Sequence, residues 1–238
     1  MSTNVDEADV LANEGRLTAS LMESGQYCRW MSDWEVEAKF RIDDARDDPG
    51  ALLEHILSEA PFTVDRVCDG DSIAYPVYRV DDGLEYSFFV YRGESLVKIK
   101  RHSIDELSKE FPVMVSTEHF LKGPSALRWR ASFKEGLLGP LEKCRSKVFV
   151  HDLSLATCFS AAVTVCRYKG HTQKQFELEY YGSSMSNQVG SVSEIVKRVR
   201  RTALAIHRSA VVDFAPTTET KLDFLQRYVR SEVLVEEN

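Results

Sequence analysis

Apolar and polar residues alternate along most of the chain, which is the pattern of strands that bury one face. The alternation begins at WEVEAKF, residues 34–40, and resumes near residue 62. Further candidate strands are residues 73–80, 84–91, 94–103, 113–121, 126–134, 143–152, 159–168 and 174–182. Asp-Gly, Arg-Gly and Lys-Gly pairs between segments favour tight hairpin turns. This succession predicts a mainly β (α+β) fold, an antiparallel β-barrel with flanking helices.

Three segments show helical rather than strand spacing. Residues 47–60, DDPGALLEHILSEA, have a proline near the start and apolar residues on one helical face. Residues 191–209 predict a longer helix with Ser193 as its cap, and residues 217–231 a shorter one. We therefore expect two helices after the last strand and one after the first.

The first 30 residues are polar and acidic with only a weak helical pattern, so they predict a flexible or loosely docked extension. Residues 31–238 are long enough for one domain, and 43% of the whole chain is apolar. The acidic N-terminus and the lack of a long apolar run predict a soluble protein that is not secreted. Five cysteines without a CxxC pair predict reduced thiols and neither zinc nor disulfides.

A net charge of −7 argues against a protein that coats nucleic acid nonspecifically. Charge is instead arranged in rows, because like charges recur at alternate strand positions and so share one face. The acidic rows are Glu35 with Glu37, followed by Lys39, and Glu177 with Glu179; the basic rows are Lys98 with Lys100, Arg128 with Arg130, and Lys143 with Arg145 and Lys147. Each row alone is compatible with an exposed strand, since charged side chains protect sheet edges. Repeated rows of one sign destabilise a sheet, however, and indicate a ligand in the barrel interior.

Basic rows in an interior would hold a polyanion, and carboxylates would hold a divalent metal through oxygen ligands. Hydrolysis of a phosphoanhydride suits this arrangement, because it requires neutralised phosphoryl charge and a positioned water. Arginines would clamp the phosphate oxygens bidentately, and lysines would act as point charges.

The ExExK of WEVEAKF and the ExE of FELEYY resemble the first and last signature strands of the triphosphate tunnel metalloenzymes, a CYTH-like superfamily. The resemblance covers residues 34–185 and implies an eight-stranded antiparallel tunnel, open at both ends and lined with charge. The stretch ALRWRASFKEG is similar to the RxSxxE of mRNA-capping RNA triphosphatases, matching Arg130, Ser132 and Glu135. VKIKRHS and KCRSK resemble basic strands of the same enzymes, and the short chain looks most like the protozoan, kinetoplastid-type ones.

The resemblance implies a metal-dependent RNA 5′-triphosphatase. It would remove the γ-phosphate of nascent mRNA before a guanylyltransferase, a candidate partner, adds the cap, which implies a nuclear location. Nucleoside triphosphates and tripolyphosphate are further implied substrates. The implied metal ligands for Mg2+ or Mn2+ are Glu35, Glu37, Glu177 and Glu179. The implied triphosphate-binding residues are Lys39, Arg92, Lys98, Lys100, Arg128, Arg130, Lys143, Arg145 and Lys147. The resemblance further implies that the four glutamates, with Lys39 and Arg130, carry catalysis. Glu135 is a weaker candidate, because strict alternation from Arg130 puts it on the opposite face unless a bulge intervenes.

Two alternatives remain open: a small-molecule or inorganic triphosphatase, and a noncatalytic barrel that binds a polyanion. The carboxylate rows argue against the second, since a pure anion binder gains nothing from acids beside its ligand. His102 shares a face with the Lys98 row but is equally typical of packing. His151 and Asp152 lack a recognisable nucleophile, and no GxxxxGK[ST] loop is present.

Two further features have simple structural interpretations. The KRVRR run at residues 197–201 is typical of a solvated helix face, although it could contact RNA backbone or a partner. Trp30 and Trp34 are most simply packing residues at the start of the domain.

Overall fold

The computed structural model describes residues 28–29, 33–91, 93–104, 111–133, 136–184, 189 and 191–236. The described strands are β1 (Cys28–Arg29), β2 (Trp34–Ile42), β3 (Thr63–Ala74), β4 (Val77–Asp81), β5 (Leu84–Tyr91), β6 (Glu94–Ile104), β7 (Met114–Lys122), β8 (Glu142–Asp152), β9 (Thr157–Tyr168), β10 (His171–Ser183) and β11 (Phe214–Pro216). The described helices are α1 (Pro49–Leu57), α2 (Gly123–Ala131), α3 (Val192–Ser209) and α4 (Lys221–Glu236). The prediction of a mainly β fold with flanking helices is confirmed.

One antiparallel sheet contains all these strands. Its path runs β3-β8-β9-β10-β2-β7-β6-β5-β4, with β1 added to β10 and β11 added to β2. Strand β3 contacts β5 near the other end of the path, so the sheet curls round into a tunnel. No ladder joins β3 to β4 within the described residues, so nine strands form an open curl where the sequence predicted eight in a closed barrel.

Two of the predicted hairpin turns form at positions that tolerate positive φ. Asp82 and Gly83 join β4 to β5 with φ of 48° and 70°, and Lys169 and Gly170 join β9 to β10 with 47° and 83°. Positive φ at both central residues defines the type I′ turn, whose twist matches that of the flanking strands. These turns confirm the hairpin predictions and set the register of the strands on each side.

The apolar core lies outside the tunnel, between the sheet and two helices. Val36, Ala38 and Phe40 of β2 are fully buried there. They belong to one cluster with apolar residues of β9, β10, α1 and α3. The Phe40 ring packs 4.6 Å from that of Phe214. Because strand side chains alternate, burial of this outer face directs the intervening charged residues into the tunnel.

The three helices predicted from spacing are confirmed, with one correction. The side chain of Asp48 accepts a hydrogen bond from the Ala51 amide at 2.6 Å and caps α1. Helix α3 is capped by Ser191, which accepts from the Glu194 amide at 3.3 Å, so the predicted cap at Ser193 is wrong. The correct cap lies three residues before an acidic residue, the spacing at which a hydroxyl reaches the third helical amide.

The strand predicted at residues 126–134 is wrong, because this segment forms α2. Gly123 has a φ of 50°, which breaks the extended chain after β7, and Pro124 occupies the first turn. Ala126 is fully buried, and Trp129 stacks on Tyr86 with centroids 5.3 Å apart. Ala126 and Trp129 are three residues apart, which is the spacing of neighbours on one face of a helix. The alternation in RWR spans only three residues, too few to indicate a strand.

Apart from β1 (Cys28–Arg29), which pairs with β10, the predicted N-terminal extension lies outside the described residues, including its weak helical pattern and Trp30. The division of the chain into an extension and one domain therefore stays a prediction. Among the helices that the structure describes, none combines the length and the apolar character needed to cross a bilayer.

Candidate active site in the charged tunnel

The concave side of the sheet encloses a polar cavity of about 190 Å³. Seven of the nine strands on the path (β2, β4, β5, β6, β7, β8 and β10) and the start of α4 contribute to its wall, and most lining residues carry charge or a hydroxyl. They are Glu35, Glu37, Lys39, Tyr78, Glu85, Ser87, Lys98, Lys100, His102, Glu118, Lys143, Arg145, Glu177, Glu179, Thr220 and Lys221. All four predicted acidic residues and five predicted basic ones thus share one cavity.

The two acidic rows lie on neighbouring strands, although they are far apart in sequence. Glu177 of β10 is directly opposite Lys39 of β2, and Glu179 is opposite Glu37. Directly opposed residues in an antiparallel pair project from the same face, so the four side chains meet inside the tunnel. The predicted grouping of the glutamates is therefore observed, while their role is a proposal.

Lysines of β6 neutralise the outer part of the acidic row. Lys98 Nζ lies 2.7 Å from Glu118 Oε1 and 3.8 Å from Glu35 Oε1, and Lys100 forms a direct ion pair with Glu35. Burial raises the pKa of Glu35, but attraction to Lys100 and Lys98 outweighs it and holds that pKa well below its usual range. Burial likewise lowers the pKa of Lys100, while Glu35 and Glu37 raise it to well above normal. Glu35 and Lys100 are therefore both charged near neutral pH.

Lys39 bridges the two acidic strands from a position with only 4% of its surface exposed. Its Nζ lies 3.0 Å from Glu37 Oε1 and 3.7 Å from Glu177 Oε1. Glu177 also pairs with Lys221 at the start of α4. Burial raises the pKa of Glu177, but Lys221 and Lys39 together hold it well below its usual range. Lys39 is thus the central cation of the β2–β10 pair.

Glu179 differs from the other three glutamates, because no ion pair with it is found among the described residues. Burial and then repulsion from Glu35 raise the pKa of Glu179 to about 7. Its cross-strand neighbour Ser160 has a buried hydroxyl without a hydrogen-bond partner in the described part of the chain. Carboxylates that repel each other beside an unused hydroxyl are an environment that a cation would stabilise.

Strand β8 supplies a basic wall opposite the acidic rows. Lys143 and Arg145 line the cavity, and Lys147 follows on the same face, its Nζ 5.3 Å from the Phe149 ring centroid. Between this wall and the glutamates of β10 runs β9, whose inward residues across from Lys147 and Arg145 are Ala162 and Thr164. Small side chains there leave room between two charged walls that are two strand spacings, about 10 Å, apart.

Two members of the basic wall have no anionic partner within the described residues. Burial, followed by repulsion from Lys221 and Arg145, lowers the pKa of Lys143 to about 7. The buried Nε of Arg145 has no hydrogen-bond acceptor in the described chain. Burial lowers the pKa of Arg145, yet Glu177 and Glu179 raise it overall, so this guanidinium stays charged. The charged Arg145 guanidinium, with a donor that no described residue uses, is chemically suited to bind an anion.

One end of the tunnel is covered by the segment leading into α4, whereas the resemblance implied a tunnel open at both ends. Gln175 Nε2 donates to the Glu219 carbonyl at 2.7 Å, and Gln173 Nε2 to Glu219 Oε2 at 2.8 Å. An apolar cluster holds α4 over this end. Leu222, Phe224 and Leu225 of α4 pack there against Tyr78, Leu141 and Cys166. Within the described residues, no comparable segment covers the opposite end, near Glu35 and Lys98.

Several lining residues were not singled out from the sequence: Tyr78, Glu85, Ser87, Glu118, Thr220 and Lys221. Glu85 and Glu118 occupy alternating positions, but only the strand register reveals that they face Lys100. Lys221 comes from a helix, and no strand pattern could have indicated it. His102, for which a site role and a packing role were both left open, lines the cavity, with its ring nitrogens 2.8 Å from Ser116 Oγ and 3.2 Å from Glu85 Oε2.

Five predicted site residues do not line the cavity or are not described, and one of them, Lys147, lies beyond Arg145 on the same face of β8. Arg128 is exposed on α2 and donates to Ser125 Oγ at 3.0 Å, and Arg130 donates to the Phe133 carbonyl at 3.4 Å. Because α2 packs on the outer face through Trp129, the predicted tunnel position of both arginines is wrong. Arg92 and Glu135 lie outside the described residues.

No group of three or more His, Cys, Asp or Glu side chains within the described residues is arranged to hold a metal. Three of the predicted ligands pair with lysines instead. The donor set nevertheless suits a hard divalent cation in kind, because carboxylate oxygens are the ligands that Mg2+ and Mn2+ prefer. The repulsion at Glu179 and the unused Ser160 hydroxyl point to the same corner of the cavity.

A larger cavity, about 550 Å³, lies outside the tunnel around His151, Asp152 and Arg201. Asp152 Oδ1 accepts from the Ser154 hydroxyl at 2.6 Å and from the Ser154 and Leu155 amides, so it holds the β8–β9 turn. Its other oxygen accepts from Thr202 at 3.3 Å. The Asp152 carboxylate therefore has a structural role in the β8–β9 turn. We place the candidate active site in the smaller tunnel cavity.

The KRVRR run lies on α3 and is partly structural. Arg198 Nη1 donates to the Thr157 hydroxyl at 2.8 Å and to the Leu155 carbonyl at 3.0 Å. Arg201 donates to Ser154 at 3.1 Å from the surface, and Lys197 is exposed to solvent. Solvation accounts for only part of this run, because Arg198 ties α3 to the β8–β9 turn.

No protein-family model and no curated protein matches this sequence. Solved structures with a similar fold include the PH1819 protein of Pyrococcus horikoshii OT3, with 15% identity and a TM-score of 0.48 over 82% of this chain and 99% of that chain. A chain of the Schizosaccharomyces pombe Mediator head module matches with 10% identity and a TM-score of 0.42, over 76% and 98%. The Pct1 RNA triphosphatase of S. pombe matches with 11% identity and a TM-score of 0.36, over 94% and 91%.

Proposed function

We propose that this protein is a metal-dependent triphosphatase of the triphosphate tunnel type. It would hydrolyse the γ-phosphate of RNA 5′ ends in the first step of cap formation. The observation that carries the proposal is one buried cavity in which paired acidic strands, β2 and β10, face basic strands β6 and β8. A polyanion and a divalent cation together would compensate both sets of charge.

In this proposal Glu35, Glu37, Glu177 and Glu179 would hold Mg2+ or Mn2+. The ion would supply charge that polarises the terminal phosphoryl group. Arg145 would bind phosphate oxygens through its unused donors, and Lys143 would add a positive charge at the covered end. Lys39, fixed between the acidic strands, would hold the phosphoryl group next to them.

Substrate binding would require the existing ion pairs to be exchanged. Lys98 and Lys100 now pair with Glu35 and Glu118, which compensates buried charge that would otherwise be costly. With the carboxylates neutralised by a cation, the same lysines would be available to phosphate oxygens. The chain can therefore hold its charged interior together both with and without a ligand.

Specificity for RNA rests on the resemblance of the basic strands in VKIKRHS and KCRSK to those of capping enzymes. Arg130 and Ser132, which matched the RxSxxE motif, lie at α2 and outside the tunnel, so they do not support the RNA subtype. Docking to a guanylyltransferase and a nuclear location belong to the same proposal and depend on the capping role.

A small-molecule or inorganic triphosphatase is the second candidate. The covering of one tunnel end by α4 favours it, because a cavity of about 190 Å³ suits a short polyphosphate held by one end. A noncatalytic polyanion binder is less favoured, since the six glutamates among the lining residues would weaken its hold on an anion.

The test is γ-phosphate release from triphosphate-ended RNA, ATP and tripolyphosphate, with Mg2+ or Mn2+ and with a chelator. Glu37→Gln and Glu179→Gln should each lower the rate at least about 100-fold, because each removes one charged ligand oxygen where transition-state charge is stabilised. Glu54→Gln, on the exposed side of α1, is the matched control and should act like the unaltered protein.

Each outcome separates the candidates. Preference for RNA ends supports the capping triphosphatase, and strong preference for tripolyphosphate supports the inorganic enzyme. Hydrolysis that survives both tunnel substitutions, or that needs no metal, would contradict the proposed site. Binding of tripolyphosphate without hydrolysis would leave the noncatalytic binder.

A further inference from the structure

We propose that Phe120, at the uncovered end of the tunnel, stacks against the base of a nucleotide whose triphosphate occupies the cavity. The proposal rests on the proposed function and adds a base-binding subsite to it. It predicts selectivity for nucleotide-bearing triphosphates over inorganic polyphosphate at a residue that no charged motif contains.

The position of Phe120 follows from the strand register. Glu118 lines the cavity, and Phe120, two residues further along β7, projects from the same face. Lys98, which also lines the cavity, is the cross-strand neighbour of Phe120. Its Nζ lies 5.8 Å from the centroid of the Phe120 ring. Phe120 is therefore the inward residue next to the last charged groups of the tunnel.

If the substrate enters by the uncovered end, Phe120 lies beside its ribose and base rather than beside its terminal phosphate. Segment 217–225 covers the end near Lys143 and Glu177, so the terminal phosphate would point towards that end. The remainder of the substrate would then leave past Lys98 and Phe120. A nucleoside triphosphate differs from tripolyphosphate by its ribose and base. These groups would lie at the uncovered end, beside Lys98 and Phe120.

The exposure of Phe120 is the second observation. Its side chain is 45% exposed although it lies on the inner, charged face of the sheet. A phenylalanine on this face cannot join the large apolar cluster, which is on the outer side under α1 and α3, and the small cluster of Phe149, Cys158 and Tyr181 does not contain Phe120. Exposed aromatic rings beside a cationic groove are the usual platforms for bases, because every base has a π-face. The nearby ammonium of Lys98 adds a cation–π contact that steadies the ring.

The experiment compares ATP with ribose 5-triphosphate, which lacks the base, and with tripolyphosphate. Binding is measured by calorimetry with a chelator present, and hydrolysis as kcat/KM with Mn2+. Phe120→Ala should weaken ATP binding and lower kcat/KM for ATP and triphosphate-ended RNA about tenfold, mainly through KM. Values for the two substrates without a base should stay within about twofold, and Phe120→Trp should restore the ATP values.

Trp34→Ala is the matched control. Trp34 is 44% exposed on β2, the strand next to β7, and is paired with Thr117, so it projects from the outer face. It should leave the ATP preference unchanged. Equal losses for all substrates in Phe120→Ala, or no loss for any, would overturn the base-binding subsite. If the unaltered protein neither binds nor hydrolyses any of them, the proposed function itself fails. Tripolyphosphate turnover without discrimination by Phe120 removes only the subsite.

Discussion

The surroundings of Lys143 in the cavity strongly oppose its ionisation. Burial, Lys221 and Arg145 lower its pKa to about 7 in the folded chain, against about 10.4 in an unfolded one. Between these values the unfolded state binds one more proton than the native state, so stability rises with pH. Stability is therefore lost progressively as the pH falls from about 10.4 to about 7, and below about 7 both states bind the proton and the slope disappears.

Lys143→Met should remove that slope. Relative to the unaltered protein, the variant should gain stability near pH 6.5 and lose the gain by about pH 10, a change on the order of 2–4 kcal/mol. Urea unfolding of metal-free protein at several pH values measures it. Lys197→Met, at an exposed lysine of α3, is the control for loss of a positive charge. Parallel pH profiles for Lys143→Met and the unaltered protein would contradict the argument.

At the scale of elements, long alternations were predictable and short ones were not. Strands β2, β8 and β10 each carry many alternating residues, so their inward charges could be read from the sequence. Only three residues alternate in RWR, and there a proline-led helix with a buried alanine was preferred over a strand. Glu118 could not be assigned for a different reason, since its role depends on which strand pairs with β7.

The position of α2 leads to a prediction that separates two arginines. Arg130 lies outside the tunnel on α2, whereas Arg145 lies inside it with unused donors. Arg130→Ala should keep triphosphatase activity within about twofold. Arg145→Ala should lower it by about 100-fold or more, because it removes a preorganised charge from the site. Steady-state hydrolysis of tripolyphosphate and ATP by the two variants measures this. An Arg130 defect equal to that of Arg145 would contradict the assigned geometry.

At the scale of the whole molecule, two of the three apolar clusters in the described part of the chain hold helices on the sheet. The larger one joins the outer face of the sheet to α1 and α3, and the smaller one holds α4 across one end. Nothing in the hydrophobic pattern of residues 217–231 indicated that this helix would cover an opening, because a helix pattern does not name the surface on which it packs. The covered end is therefore a property of tertiary packing alone.

The division into two clusters predicts that α4 opens without global unfolding. Leu225 is fully buried in the small cluster, and its truncation to alanine should cost about 2–5 kcal/mol there. Leu225→Ala should therefore accelerate amide exchange in α4 while β2 and α3 keep their protection, since weakly supported elements open as local units. Phe40→Ala, in the large cluster, should accelerate exchange throughout. Hydrogen exchange followed by mass spectrometry distinguishes the two patterns, and uniform acceleration in Leu225→Ala would show instead that α4 and the sheet unfold as one unit.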